Sequence, residues 1–168
     1  MKFTNVQGTK VYILPVPATS YADCTAASTA IMAGDEALCP QSLGELTRTR
    51  AITEYSCISN NSSVKAAGKI SYGDFSMELL YDQADTKGQQ ALLDAFENNT
   101  PIILALVADD ADVTVGPKGA QGSLVWTEAT VSGDGIAFPN DGLMGYNVTI
   151  APYGGYNRCP AVAGTKGP

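Results

Sequence analysis

The chain of 168 residues contains no histidine. Imidazole bases, His-ligated zinc or haem and Ser-His-Asp triads are therefore excluded on inventory. The chemistry left rests on carboxylates, cysteines and glycine-lysine turns. Asp74 and Glu78 suggest a carboxylate pair for acid-base work on sugars, but on one strand they are ordinary solvent-face residues. Asp109-Asp110-Ala111-Asp112 lacks the glycine and the distal glutamate of a calcium loop, and Gly116-Pro117-Lys118-Gly119 lacks the Walker spacing and its following Ser or Thr. Asn147-Val148-Thr149 fits a glycosylation sequon but reads as strand. Cys24, Cys39, Cys57 and Cys159 form no Cys-x-x-Cys pair and read as reduced small hydrophobes; whether Cys24 and Cys39, 15 residues apart, pair stays open. No catalytic residue, cofactor or metal ligand is expected, and the chain does not read as an enzyme.

The elements that must position these residues are mostly strands. Ile70 to Asp82 alternates strictly, with Phe75, Met77, Leu79 and Tyr81 on one face and Asp74, Ser76, Glu78 and Asp82 on the other. Leu46 to Tyr55 and Ser123 to Ser132 read as strands, as does Leu143 to Pro152, where Met144, Tyr146, Val148 and Ile150 share a face. Lys10 to Pro17 reads as an edge strand because its two prolines donate nothing to a ladder. Ile102 to Val107 is a short apolar run, expected to be a strand buried on both sides, in the monomer or in an assembly. One helix is expected after Thr86, with a Thr86/Gln89 capping box, a face of Leu92, Ala95 and Phe96, and a stop at Asn98-Asn99-Thr100-Pro101. Residues 18–42 read as a long arm, Tyr55–Lys69 as a loop around Asn60-Asn61-Ser62-Ser63, and 153–168 as an irregular tail. The expected fold is mainly β: one domain over residues 1–168, an antiparallel β-sandwich or barrel with one flanking α-helix and long loop arms.

Seventeen acids against ten bases give a net charge of −7, which disfavours affinity for phosphate. The charge is concentrated. Residues 74–112 carry nine acids and one base, or −8, leaving +1 for the rest of the chain. Such a block either solvates an exposed face, repels phosphate, or pairs with a basic patch containing Arg48 and Arg50 on another copy. The first residues have no apolar run of a secretory signal, and no segment approaches the roughly 18 apolar residues of a membrane helix. Synthesis in the host cytoplasm without membrane insertion is expected.

Leu43-Gly44-Glu45-Leu46-Thr47 and Lys87-Gly88-Gln89-Gln90-Ala91-Leu92-Leu93 resemble motifs of the major tail tube protein of long-tailed, non-contractile, lambda-like bacteriophages. Between them, Asp74-Phe75-Ser76-Met77-Glu78-Leu79-Leu80-Tyr81 stands where that family has a strand leading into its helix, so the likeness spans Leu43 to Ser132. The resemblance implies a virion tail component without chemistry of its own. Its homohexameric rings would stack into a hollow tube that conducts genomic DNA to the host without binding it specifically. Implied partners are the tape measure protein, the tail tip and the tail terminator. Asp74, Glu78 and Asp82 are then candidates for the lumen wall, and Arg48, Arg50, Asp109, Asp110, Asp112, Ile102 and Leu104 for contacts between subunits. The arm, the Tyr55–Lys69 loop and the tail are candidates for ring-to-ring contacts. Other readings are a different ring-forming tail component, such as a terminator or neck, and a capsid decoration or adhesin-like binding module.

Overall fold

The computed structural model describes residues 7–57, 62–111 and 119–165. In chain order the elements are β1 (Lys10–Pro15), α1 (Cys24–Met32), β2 (Asp35–Ala37), β3 (Pro40–Leu43), β4 (Arg48–Cys57), β5 (Ser62–Tyr72), β6 (Phe75–Leu80), α2 (Gly88–Glu97), β7 (Ile102–Val107), β8 (Leu124–Ala137), β9 (Gly145–Pro152) and β10 (Asn157–Cys159). The fold is mainly β and antiparallel, as expected, with two helices in place of one. The main sheet runs β2-β1-β7-β8-β9-β6-β3, with β10 also on β8, while β4 and β5 form a separate hairpin.

β8 organises the sheet. Its first half pairs with β7, its second half with β9, and the register shifts between Val131 and Gly133. A shift of this kind bends a strand and lets its two halves belong to two layers. The outermost strands, β2 and β3, are joined only by Leu38 and Cys39, so the sheet's two ends lie within about 10 Å of each other. Cys39 turns this corner at φ 54°, and its carbonyl accepts from Leu80 N at 3.0 Å. The sheet therefore curls around its own core.

That core fills both faces of β7. Ile102 and Leu104 join Val11, Ile13, Phe75, Leu79, Val148 and Ile150 on the inner side, closed by Leu92 and Ala95 of α2. Ile103, Ala105 and Val107 meet Tyr12, Leu124 and Cys159 on the other side, closed by Ala27 and Ile31 of α1. α2 approaches β2 so closely that a Cβ at Gly88 would stand 2.3 Å from the Glu36 carbonyl oxygen. The expected stop holds: Asn99 takes φ 49°, and Thr100 N donates to the Ala95 carbonyl at 2.9 Å.

Several expectations are corrected. Residues 18–42 are not an arm. Asp23 caps α1 by accepting from Ala26 N at 2.7 Å, and β2 and β3 pair with β1 and β6. β1 is an interior strand: β7 pairs along its whole length on one side, and β2 pairs with Val11, Tyr12 and Ile13 on the other, stopping short of Pro15. The Thr86/Gln89 capping box does not form. Asp85 instead accepts from Lys87 N and Gln89 N, and Gln89 turns its amide to the Leu80 carbonyl. Phe96 is exposed rather than packed beside Leu92. The tail continues along β8 as β10, with a further bridge between Val162 and Gln121. The Gly116–Lys118 stretch and residues 60–61 of the proposed turn lie outside the described residues.

The cysteine reading also changes. Cys24 pairs with Cys159, with Cα atoms 5.5 Å apart, and Cys39 is a free, exposed thiol. This bridge ties α1 to β10 across 135 residues of chain. Constraining so long a loop in the unfolded state stabilises the fold. Replacing both cysteines by Ser should cost about 2–5 kcal/mol, read as a lower urea midpoint than the oxidised protein, with a steeper slope because the uncrosslinked denatured chain is more expanded.

Candidate functional site

Two surfaces stand apart from the core. The first is the β4–β5 hairpin, which joins no other strand. Its described side chains from Arg48 to Ser56 and Ser63 to Ser71 are all exposed, including Ile52 (66%), Tyr55 (59%) and Val64 (57%). A two-stranded ribbon without a packed face is marginal in water, and exposed apolar residues of this kind mark a candidate interaction surface. The root is nevertheless firm. The Tyr156 hydroxyl donates to the Thr47 carbonyl, Gly73 N donates to the same carbonyl at 3.1 Å, and the Tyr72 and Tyr156 rings meet edge to face at 5.4 Å. Burial pushes the Tyr156 hydroxyl pKa up, as does Tyr72, while Arg48 opposes the shift. Arg48, Arg50, Lys65 and Lys69 against Glu54 give the hairpin four bases and one acid, or +3.

The second surface is the outer face of β3, β6 and β9. α1 covers the outer side of β1 and β7, but among the described residues no helix packs on this half. Register sets Ser42, Glu78, Asn147 and Gly135 in one row, and Ser76, Thr149 and Gly133 in the next. The wall is small and polar, without an aromatic ring. Asp74 stands exposed at the start of β6.

Asp82 is not part of this wall. β6 ends at Leu80, earlier than the alternation suggested; Asp82 Oδ1 accepts from Ala84 N at 2.9 Å in the turn that follows. There it lines a cleft at the start of α2, with Asp85, Asp134 and Tyr146.

The residues expected at subunit contacts divide. Arg48 and Arg50 lie exposed on the hairpin, and Asp109 is exposed beyond β7. Asp110 is engaged within the chain, where its carboxylate accepts from Ser123 N and Ser123 Oγ at 2.5 Å each. Ile102 and Leu104 are corrected outright: at 4% and 0% exposure they belong to the chain's own core and present nothing to a neighbour. Asp112 lies outside the described residues. Among those residues, no three acidic or cysteine side chains are grouped to hold a metal ion.

The hairpin is the feature the sequence reading missed. Residues 63–70 alternate only weakly, because Ala66, Ala67 and Gly68 dilute the pattern, and the turn residues before them suggested a loop. The remaining signal was Val64 and Ile70 placed opposite Tyr55 and Arg50.

No protein-family model matches the sequence, and no curated protein is similar to it. Solved structures match its fold over nearly the whole length. A chain of the SPP1 tail tube superposes with a TM-score of 0.61 at 13% identity, covering 96% of this chain and 81% of that one. A chain of the six-fold symmetrised baseplate of the anti-feeding prophage gives 0.61 at 10%, covering 95% and 98%. A chain from the virion of the native gene transfer agent gives 0.56 at 10%, covering 89% and 95%. The fold is that of phage tail tube and related tail proteins.

Because Ile52 and Val64 stand exposed on a ribbon that pairs with no other strand, Ile52→Ser and Val64→Ser should each shift unfolding by less than about 0.5 kcal/mol. Leu104→Ala, emptying a site inside the sheet, should cost about 2–5 kcal/mol, measured by urea denaturation of the same preparations.

Proposed function

We propose that this chain is the repeating subunit of a virion tail tube: hexameric rings stack into a hollow conduit for genomic DNA, and the chain itself performs no chemistry. The observation that carries the reading is the superposition on the SPP1 tail tube chain over 96% of the present chain. The six-fold symmetrised particle containing a similar chain supports six copies per ring. On this reading the subunit is made in the host cytoplasm and ends in the virion, meeting the tape measure protein, the tail tip and the terminator.

The bare outer face of β3, β6 and β9 suits the lumen wall. It is polar, carries Asp74 and Glu78, and has no aromatic platform on which bases could stack. Six copies sum to −42 per ring, six times −7. Repulsion between wall carboxylates and phosphates keeps DNA from adhering while it slides. The hairpin suits ring-to-ring contact. Its exposed apolar residues and its positive charge both ask for a partner, and the acid-rich remainder of another copy supplies one.

Electron microscopy of the purified protein, concentrated in steps and followed by light scattering, tests the reading. Hollow tubes or stacked rings are expected. Isolated rings at every concentration would favour a terminator or neck ring, and a persistent monomer would favour a binding module. Excising residues 51–69 across a short turn should leave a folded subunit, judged by circular dichroism, that forms no tubes.

A further inference from the structure

We propose that the cleft between the start of α2 and the far ends of β8 and β9 is a socket for the guanidinium of Arg50, presented by the hairpin of a second copy. The proposal rests on the reading that copies of this chain assemble, and it names one contact that assembly uses. Tyr81, Asp82, Asp85, Gln89, Asp134 and Tyr146 line the cleft, bringing three carboxylates and no base to its wall.

Tyr146 shows that the socket wants a donor. Its side chain is only 5% exposed, and its hydroxyl has no hydrogen-bond partner among the described residues. Buried hydroxyls are ordinarily paired, so an orphan lining an acidic cleft marks a place where a partner is missing. Burial, then the charge of Asp134, push its pKa up to about 12, so the group stays a neutral hydroxyl that can accept from a cation and donate to a carboxylate.

The rest of the wall is already committed. Gln89 Nε2 donates to the Leu80 carbonyl at 2.7 Å, and Gln89 Oε1 accepts from Asp82 N at 3.2 Å. Both Asp85 oxygens accept from the backbone at the start of α2. Open acceptor capacity therefore gathers on Asp134, the second oxygen of Asp82 and the Tyr146 oxygen. These acceptors call for a positive group with several donors and no acceptor of its own, which describes a guanidinium. A metal ion fits less well, since no three ligating side chains among the described residues converge.

The chain carries its own supply. The hairpin is the positive element of a chain whose total is −7. Within it, Arg48 sits at the root near Tyr156, and Lys65 stands opposite Glu54 in register. Arg50 stands opposite Ile70, exposed, with no acid across the strand. It is the hairpin guanidinium free to leave for a neighbour.

Charge exchange tests the contact. Asp134→Arg and Arg50→Asp, each alone, should raise the concentration needed for self-association by about tenfold or more in sedimentation and light scattering. The two singles mixed, or the double variant, should recover most of that loss, because every socket again meets an opposite charge. Tyr146→Phe should leave thermal unfolding unchanged or higher, yet weaken association several-fold, a split that a purely structural hydroxyl would not produce. Singles that associate like the wild type overturn the socket and leave the tube reading standing; so do a double variant no better than the sum of its singles and a Tyr146→Phe protein that assembles normally. A wild-type protein that stays monomeric at every concentration overturns the tube reading, and the socket with it.

Discussion

Burial of β7 on both faces is the constraint from which the rest of the molecule follows. A strand reading Ile-Ile-Leu-Ala-Leu-Val has no side to show to water, so each face needs its own cover. The inner face is met by the curl of the sheet and by Leu92 and Ala95 of α2; the outer face is met by Ala27 and Ile31 of α1. With α1 on the half of the sheet around β7, the other outer half has no helix over it among the described residues. Its side chains have to be ones that water accepts, and Ser76, Glu78, Asn147 and Thr149 are. The polar wall and the double-sided core are two results of one allocation of two helices over a bent sheet.

The hairpin obeys the opposite logic. It is stitched by a ladder whose register shifts once, between Arg50 and Ile52, and by Thr49 Oγ1 and Ser71 Oγ at 2.8 Å, but it has no third strand and no packed face. Hydrogen bonds between two strands contribute little net stability, because the same groups bond to water when the strands part. What holds the ribbon in the single chain is its root at Tyr72, Gly73 and Tyr156. Ile52, Tyr55, Val64 and Ile70 therefore bury little in the isolated fold, and what they add there comes from cross-strand pairs such as Tyr55 with Val64. On the proposed reading, a neighbouring copy would complete the element that the single chain leaves without a packed face.

Legibility in the sequence followed the strength of local pattern. Phe75, Met77 and Leu79 announced their strand because only one side of it is buried, and the run 102–107 announced itself by having no polar position. The helix around Leu92 was visible, whereas its capping residue was not, since Asp85 acts from two residues before Lys87 through loop geometry that no spacing rule encodes. α1 was hidden by composition. Ala, Ser and Thr give a weak amphipathic signal, and only Ile31 is a large apolar residue in its buried stripe. The link between Cys24 and Cys159 was invisible for a topological reason, because α1 and β10 meet only after the whole sheet has closed. Ile102 and Leu104 were assigned to subunit contacts because a sequence cannot distinguish an apolar strand that its own chain covers from one that a neighbour covers. Tyr146 read simply as core, and its unpaired hydroxyl became apparent only with the partners in place.

In the proposed tube, charge would do two separate jobs, and ionic screening would keep them apart. At physiological salt the Debye length is about 8 Å, so a carboxylate affects passing DNA only if it stands at the wall. Asp94 and Glu97 on α2 lie on a different part of the subunit from Asp74 and Glu78, and the ring's total charge overstates what a phosphate in the channel would meet. Attraction between copies is equally short-ranged. It depends on a basic group entering a site from which most water is excluded, where its pairing is not diluted by solvent. One acidic chain can therefore repel a polyanion along its wall and bind its own positive hairpin at a cleft, provided that the wall stays open and the cleft stays narrow. The small side chains of the outer β6 and β9 face meet the first condition; in the cleft Tyr146 is buried but Asp82 and Asp134 stand exposed, so the second is met only once the proposed guanidinium has displaced their water.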